Sequence, residues 1–193
     1  MQSKGVLFIL SAPTGGGKTT IATNVLSIVG KQYPFSRVIT YTTRPRRPGE
    51  KNGIDYHFVT EKDFLEKKEA NFFLETNNYD GKWYGSPRSI CTDLELGKSF
   101  IAVTDRNGAH AWKKNIPDAV LIWLTVPDAA VIAQRLRKRG TDAEAVIQRR
   151  IKLAAQEIAE EKKEHFFSHH VMNDDLQKAI DATVRIVIDE IKR

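Results

Sequence analysis

Residues 12–19, Ala12-Pro13-Thr14-Gly15-Gly16-Gly17-Lys18-Thr19, set three consecutive glycines beside a lysine and a hydroxyl. The spacing is that of the phosphate loop, Gly-x-x-x-x-Gly-Lys-Ser/Thr, with Ala12 in place of the first glycine. Glycines let backbone N–H groups turn inward and approach phosphate oxygens closely, and the helix that follows adds positive potential at its N-terminus. Lys18 then reaches the β- and γ-phosphates, and the Thr19 hydroxyl is placed to ligate Mg2+. Ala12 adds one methyl at the edge of the loop. The chemistry implied is nucleotide binding.

A second basic element follows. Thr40-Tyr41-Thr42-Thr43-Arg44-Pro45-Arg46-Arg47-Pro48-Gly49-Glu50 holds three arginines in four positions between prolines that stiffen the backbone. Guanidinium forks bind phosphate through paired hydrogen bonds. Taken alone, the segment also fits a solvated basic loop or a nucleic-acid patch. A phosphate loop upstream favours a second small ligand that carries phosphate.

The elements that must position these groups alternate. Gly5–Ser11 is a short apolar run, the pattern of a strand buried on both faces of a parallel sheet. A helical pattern from Lys18 to Val29 follows the glycine loop. Ser99–Thr104 and Ala119–Thr125 repeat the buried-strand pattern, each ahead of a helix, Asn107–Lys114 and Asp128–Arg139. Strands alternating with helices predict a parallel α/β sheet. The stretch from Arg37 to about Gly85 breaks the alternation and predicts an inserted, partly β subdomain. Within it Thr60 and Asp63 form a capping-box pair opening a helix to Ala70. Ser86–Leu96 predicts a further helix. Thr141 with Glu144 predicts the start of a charged helix to about Glu164, His169–Met172 a last strand, and Asp174–Lys192 a closing helix.

Gly53-Ile54-Asp55-Tyr56-His57-Phe58, Phe73-Leu74-Glu75, Trp83-Tyr84-Gly85-Ser86 and Val171-Met172-Asn173-Asp174-Asp175-Leu176 join these motifs in an order that strongly resembles guanylate kinase over nearly the whole chain. The resemblance implies an α/β P-loop kinase: a parallel β-sheet core flanked by helices, an inserted mixed α/β GMP-binding subdomain and a helical lid. The corresponding limits are a core at about 1–36, 86–134 and 151–193, the subdomain at about 37–85 and the lid at about 135–150. It implies transfer of the γ-phosphoryl group of ATP to GMP or dGMP, with Mg2+ and no nucleic-acid or membrane partner.

By the same resemblance, the phosphate loop with Thr20 and Asn173 binds ATP. Arg44, Arg47, Tyr56 and Tyr84 hold the GMP phosphate, Glu75 reads guanine, and Thr40, Ser86 and Asp105 supply neighbouring polar contacts. One carboxylate accepts the adjacent N1–H and 2-amino donors of guanine together. Adenine has no such pair, so it would leave that carboxylate buried and unpaired. Without the resemblance, Glu75 reads as a surface strand residue, and Tyr56 and Tyr84 as core aromatics. Arg135 and Arg139, four apart on one helix face, and Arg150 beyond them match lid arginines. With Lys18 and Arg44 they are the candidate catalytic cations; taken alone, the run is a solvated basic face. One departure stands out. The family usually carries Asp-x-Asp-x-Gln-Gly where this chain has Val103-Thr104-Asp105-Arg106-Asn107-Gly108, which leaves Asp105 as the remaining carboxylate for a Mg2+-bound water.

The bulk properties agree. The 193 residues are 41% hydrophobic and carry +6 at pH 7, and the lone Cys91 has no disulfide partner, which fits a reducing, cytoplasmic compartment. No run approaches the roughly 18 apolar residues of a membrane span. A kinase-like domain that binds a protein partner without catalysis is the alternative, and it would be expected to lack the phosphate loop and the lid arginines.

Overall fold

The computed structural model describes residues 4–79, 81–140 and 143–193, apart from the side chains of Ala129 and Arg139. In chain order the elements are β1 (Leu7–Ser11), α1 (Lys18–Val29), β2 (Phe35–Arg37), β3 (Tyr41–Thr42), β4 (His57–Phe58), α2 (Glu61–Glu69), β5 (Phe73–Tyr79) and β6 (Lys82–Pro87). Then come α3 (Ser89–Glu95), β7 (Ser99–Val103), α4 (Arg106–Asn115), β8 (Val120–Thr125), α5 (Ala129–Arg139), α6 (Glu144–Glu164), β9 (His169–Met172) and α7 (Leu176–Ile191).

Five strands form one parallel sheet in the order β2-β7-β1-β8-β9. Both faces are covered, which is why β1 is buried along its whole length. Phe8 and Leu10 pack with Ile21, Val25, Ile180 and Val187 of α1 and α7. Leu7 and Ile9 point the other way, towards Leu94 of α3 and Ala109 and Trp112 of α4. The period-2 alternation of a strand thus serves two helical layers at once. All five strands run the same way, so their C-terminal ends share one edge, the edge where open α/β sheets bind ligands. There the chain leaves β1 for the glycine loop, β7 for Asp105, β9 for Asn173 and β8 for α5.

A second, mixed sheet in the order β4-β3-β6-β5 makes up the inserted region. Its own small core is aromatic: Phe64 of α2, fully buried, stacks on Phe73 at 4.5 Å and Trp83 at 5.9 Å. The predicted capping box is present, with the Thr60 side chain accepting from the Asp63 N–H and the Asp63 carboxylate accepting from the Thr60 N–H. A third apolar group joins α5 and α6 through Ile132, Leu136, Ile147 and Ala154.

Two boundaries differ from expectation. Ser86 does not begin a helix; it continues β6 opposite Glu75, and α3 starts only at Ser89. Strand pairing with a segment eleven residues earlier outweighs the local pattern there, and Pro87, which has no N–H to donate, closes the strand. The long charged helix begins at Glu144 itself, later than a Thr141 cap with Glu144 in the first turn implies: Ala143 occupies the N-cap without a side-chain bond, and Thr141 lies outside the described residues.

Candidate active site

The glycine loop is built by close approach. Gly17 adopts φ 90° and caps α1 with no side-chain cap of its own, so the first-turn N–H groups of α1 have no side-chain acceptor there. A Cβ at Gly17 would stand 2.6 Å from Asn173 Nδ2, and one at Gly16 would stand 2.8 Å from Ala12 Cβ. Only glycine fits at either place. Ala12 and Pro13 are buried behind the loop and turn their carbonyls into it: Ala12 O accepts from Lys18 Nζ and Pro13 O from the Gly16 N–H, both at 2.8 Å. The substitution of Ala12 for glycine is therefore absorbed by packing. Thr14 to Thr20 line a cavity of about 600 Å³, within the range of small-molecule sites.

The opposite wall of this cavity comes from the second sheet. Thr40, Arg47, Tyr56, Glu75, Tyr84 and Ser86 all line it. Glu75 on β5 faces Ser86 on β6 in register, and the Ser86 hydroxyl donates to Glu75 Oε1 at 2.7 Å. Burial pushes the Glu75 carboxyl up to about 7, against the Ser86 hydrogen bond and with a smaller push from the Asp105 charge. Tyr56 and Tyr84 meet edge to face, with ring centres 6.2 Å apart. Arg44 stands apart from this group. Its guanidinium is held by Glu50 at 2.7 Å and by the Pro45 carbonyl at 2.8 Å, over the rings of Tyr56 and Phe58, rather than in the cavity wall.

Between the two walls, at the end of β7, Val103, Thr104 and Asp105 line the cavity. Asp105 also caps α4, its Oδ1 accepting the Gly108 N–H at 2.7 Å. Arg135 and Arg150 reach the same cavity from α5 and α6. Arg139 belongs to α5, and its side chain lies outside the described residues. Asn173 sits behind the phosphate loop, 3% exposed. Its Nδ2 donates to Gly16 O at 2.8 Å, its N–H to Thr125 O at 2.8 Å, and its own carbonyl accepts from Arg135 Nη2 at 2.7 Å.

One site residue left no mark in the sequence. Glu157, on α6 and 8% exposed, accepts the Thr14 N–H at 3.1 Å and faces Lys18 across the cavity. Burial pushes the Glu157 carboxyl up, opposed by the Lys18 charge and the Thr14 bond. Burial likewise pushes the Lys18 ammonium down, opposed by Glu157 and Asp105. In a helix rich in charge, nothing local sets this glutamate apart from its solvated neighbours.

His169 lies 3.6 Å from Glu190 and His170 3.0 Å from Glu161, and among the described residues no group of three His, Cys, Asp or Glu is arranged to hold a metal. Cys91 packs against the apolar layer of α3 and α4. Among the described residues no helix is long and apolar enough to cross a membrane.

Comparison with known proteins points one way. The family model for guanylate kinase matches residues 4–190. The guanylate kinase of Lactobacillus acidophilus is 40% identical over 188 residues, covering 97% of this chain and 90% of that protein. That of Desulfotalea psychrophila is 40% identical over 180 residues, covering 92% and 86%. The crystal structure of guanylate kinase from Anaplasma phagocytophilum superimposes with a TM-score of 0.80 at 26% identity, covering all of this chain and 89% of that one.

The Glu157 contact can be tested directly. Glu157→Ala leaves the Thr14 N–H without its partner and is expected to cost about 1–3 kcal/mol. In a chain of this length that is a fall in Tm of roughly 2–12 °C. Thermal unfolding of the nucleotide-free protein reads it, and an unchanged Tm would show that the carboxylate does not brace the loop.

Proposed function

The chain belongs to the guanylate kinase family, enzymes that phosphorylate GMP at the expense of ATP, and from that premise we propose how its residues divide the work. The observation that carries the reading is a single cavity with a phosphate loop on one wall and a buried carboxylate, Glu75, on the other. The loop takes the triphosphate of ATP through its backbone N–H groups and Lys18. Glu75 takes the guanine N1–H and 2-amino group, with Ser86 holding the carboxylate in place. Tyr56, Tyr84, Arg47 and, once released from Glu50, Arg44 take the GMP phosphate. Thr40 and Asp105 complete the polar wall.

The acceptor is a phosphate oxygen that is already anionic near neutral pH, so no base has to remove a proton. What opposes reaction is repulsion between two anions brought into line, and the residues present answer it with positive charge. Arg135, Arg139 and Arg150 sit on the segment at about 135–150 that we assign as the lid; closing it brings guanidinium groups onto the transferring group and excludes water. The subdomain at about 37–85 carries the acceptor, and the core carries the donor. The Thr19 hydroxyl and the Asp105 carboxylate are both oxygen donors on this cavity, a set that suits Mg2+ completed by phosphate oxygens and water. Bound there, Mg2+ would neutralise charge on the β- and γ-phosphates. Val103 supplies no second carboxylate, which leaves that support to Asp105.

The test is ADP production from ATP and Mg2+ with GMP, AMP, CMP, UMP or dTMP offered separately. Turnover with GMP alone is expected. A folded protein that binds GMP and turns over none of them would instead be a silent, partner-binding member of the fold. Glu75→Gln is expected to lower kcat/KM for GMP on the order of 10⁴-fold, because an amide cannot accept both guanine donors; an unchanged value would remove Glu75 from the base site.

Glu75 also sets a pH dependence whose sign follows from its burial. Its carboxyl is protonated below about 7 and ionised above, and only the ionised form accepts both donors. Guanosine, which has no phosphate to titrate, should therefore bind more tightly as pH rises through about 7 and lose about tenfold per unit on the acid side. Calorimetric titration with guanosine from about pH 5 to 8 reads this, and a flat profile would detach Glu75 from the base.

A further inference from the structure

Arg37 closes β2 at the ligand-binding edge of the parallel sheet and lines the same cavity. Its Nε is buried without a hydrogen-bond partner, its guanidinium carbon lies 5.9 Å from the centre of the Tyr56 ring, and among the described residues it forms no ion pair. The other arginines here are treated differently. Arg44 is neutralised by Glu50 at 2.7 Å. Arg106, 6% exposed, faces Glu160, Glu161 and Glu164 at 3.7, 3.6 and 2.5 Å. The neighbouring strand does not supply Arg37 with a counter-charge either. Arg37 is registered with Ile101 of β7, and the residues of β7 that reach the cavity, Ala102 and Val103, have no carboxylate.

A guanidinium partly withdrawn from water and left unneutralised is costly unless an anion arrives to meet it. The cavity it lines is the place from which that anion would come, and its nearest aromatic neighbour is Tyr56. Burial pushes the Tyr56 phenol up, and Arg37 is the first of the charges that hold it down.

We propose that Arg37 is a further arginine of the acceptor site, donating to the 5′-phosphate of the bound nucleoside monophosphate alongside Tyr56. The proposal rests on the acceptor reading given above. It makes Arg37 a residue that recognises phosphate rather than base, and it gives the charge a partner only in the complex.

The test separates phosphate from nucleoside by titrating GMP and guanosine, without ATP, into the unaltered protein, Arg37→Gln and Arg37→Lys. Loss of one charge-assisted contact predicts GMP binding roughly ten- to a hundredfold weaker in Arg37→Gln. Guanosine binding should be unchanged, which also shows that the variant is folded. Arg37→Lys, keeping the charge, should recover part of the loss. Unchanged GMP affinity, or an equal loss for GMP and guanosine, would overturn the assignment. If Arg37→Gln does not fold, Arg37→Met, which keeps the apolar stem in its place, carries the same comparison. An unaltered protein that binds neither ligand would instead remove the acceptor reading itself.

Discussion

The contact between Asn173 and Gly16 is the constraint on which the rest of the site depends. A phosphate loop works only if its N–H groups point at one spot, and that requires a backbone shape that glycine permits but does not enforce. Enforcement comes from behind. Asn173 leaves the end of β9, is tied to β8 through Thr125, and fixes the Gly16 carbonyl with its amide. Its own carbonyl then holds Arg135 of α5. One buried residue thus sets the loop, registers it against the sheet, and stations Arg135 beside it. In the proposed function, Asn173 contributes to the ATP site from this position by shaping the loop.

The charges in and beside the cavity follow a second rule: cations there already hold an internal partner. Lys18 has the Ala12 carbonyl and Glu157, and Arg44 has Glu50. Glu157 is itself placed from a distance. Asp105 caps α4, the next residue Arg106 grips Glu160, Glu161 and Glu164, and these share a helix face with Glu157. The end of β7, where Asp105 meets the cavity, is therefore linked mechanically to the carboxylate that braces the phosphate loop. Removing one member of such a buried pair costs more than the pair is worth, because the survivor is stranded.

Legibility in the sequence tracked the distance over which each feature is decided. The phosphate loop, the Thr60–Asp63 capping box and the buried strands β1, β7 and β8 are written in neighbouring residues, and the structure has them. Ser86 reads as helical from its neighbours because its strand conformation is fixed by Glu75 across the sheet. Glu157 and Arg37 left no signal. The first is one acid on a charged helix, and the second ends a three-residue strand whose cavity is assembled from segments far apart in the chain. Glu75 is legible only through resemblance to a family, because its burial exists only in the assembled fold.

The two kinds of site residue contribute to binding in opposite ways. In the proposed roles Lys18 and Arg44 exchange a partner they already have for a phosphate, so their net gain is a difference between two similar contacts. Glu75 and Arg37 sit withdrawn from water with their hydrogen-bonding capacity incompletely used. For them a matching ligand removes a cost that the empty protein carries, and a mismatched one leaves it in place. Discrimination should therefore concentrate in the residues that the free enzyme leaves short of partners, while the paired cations are kept for the charge that develops as the phosphoryl group moves.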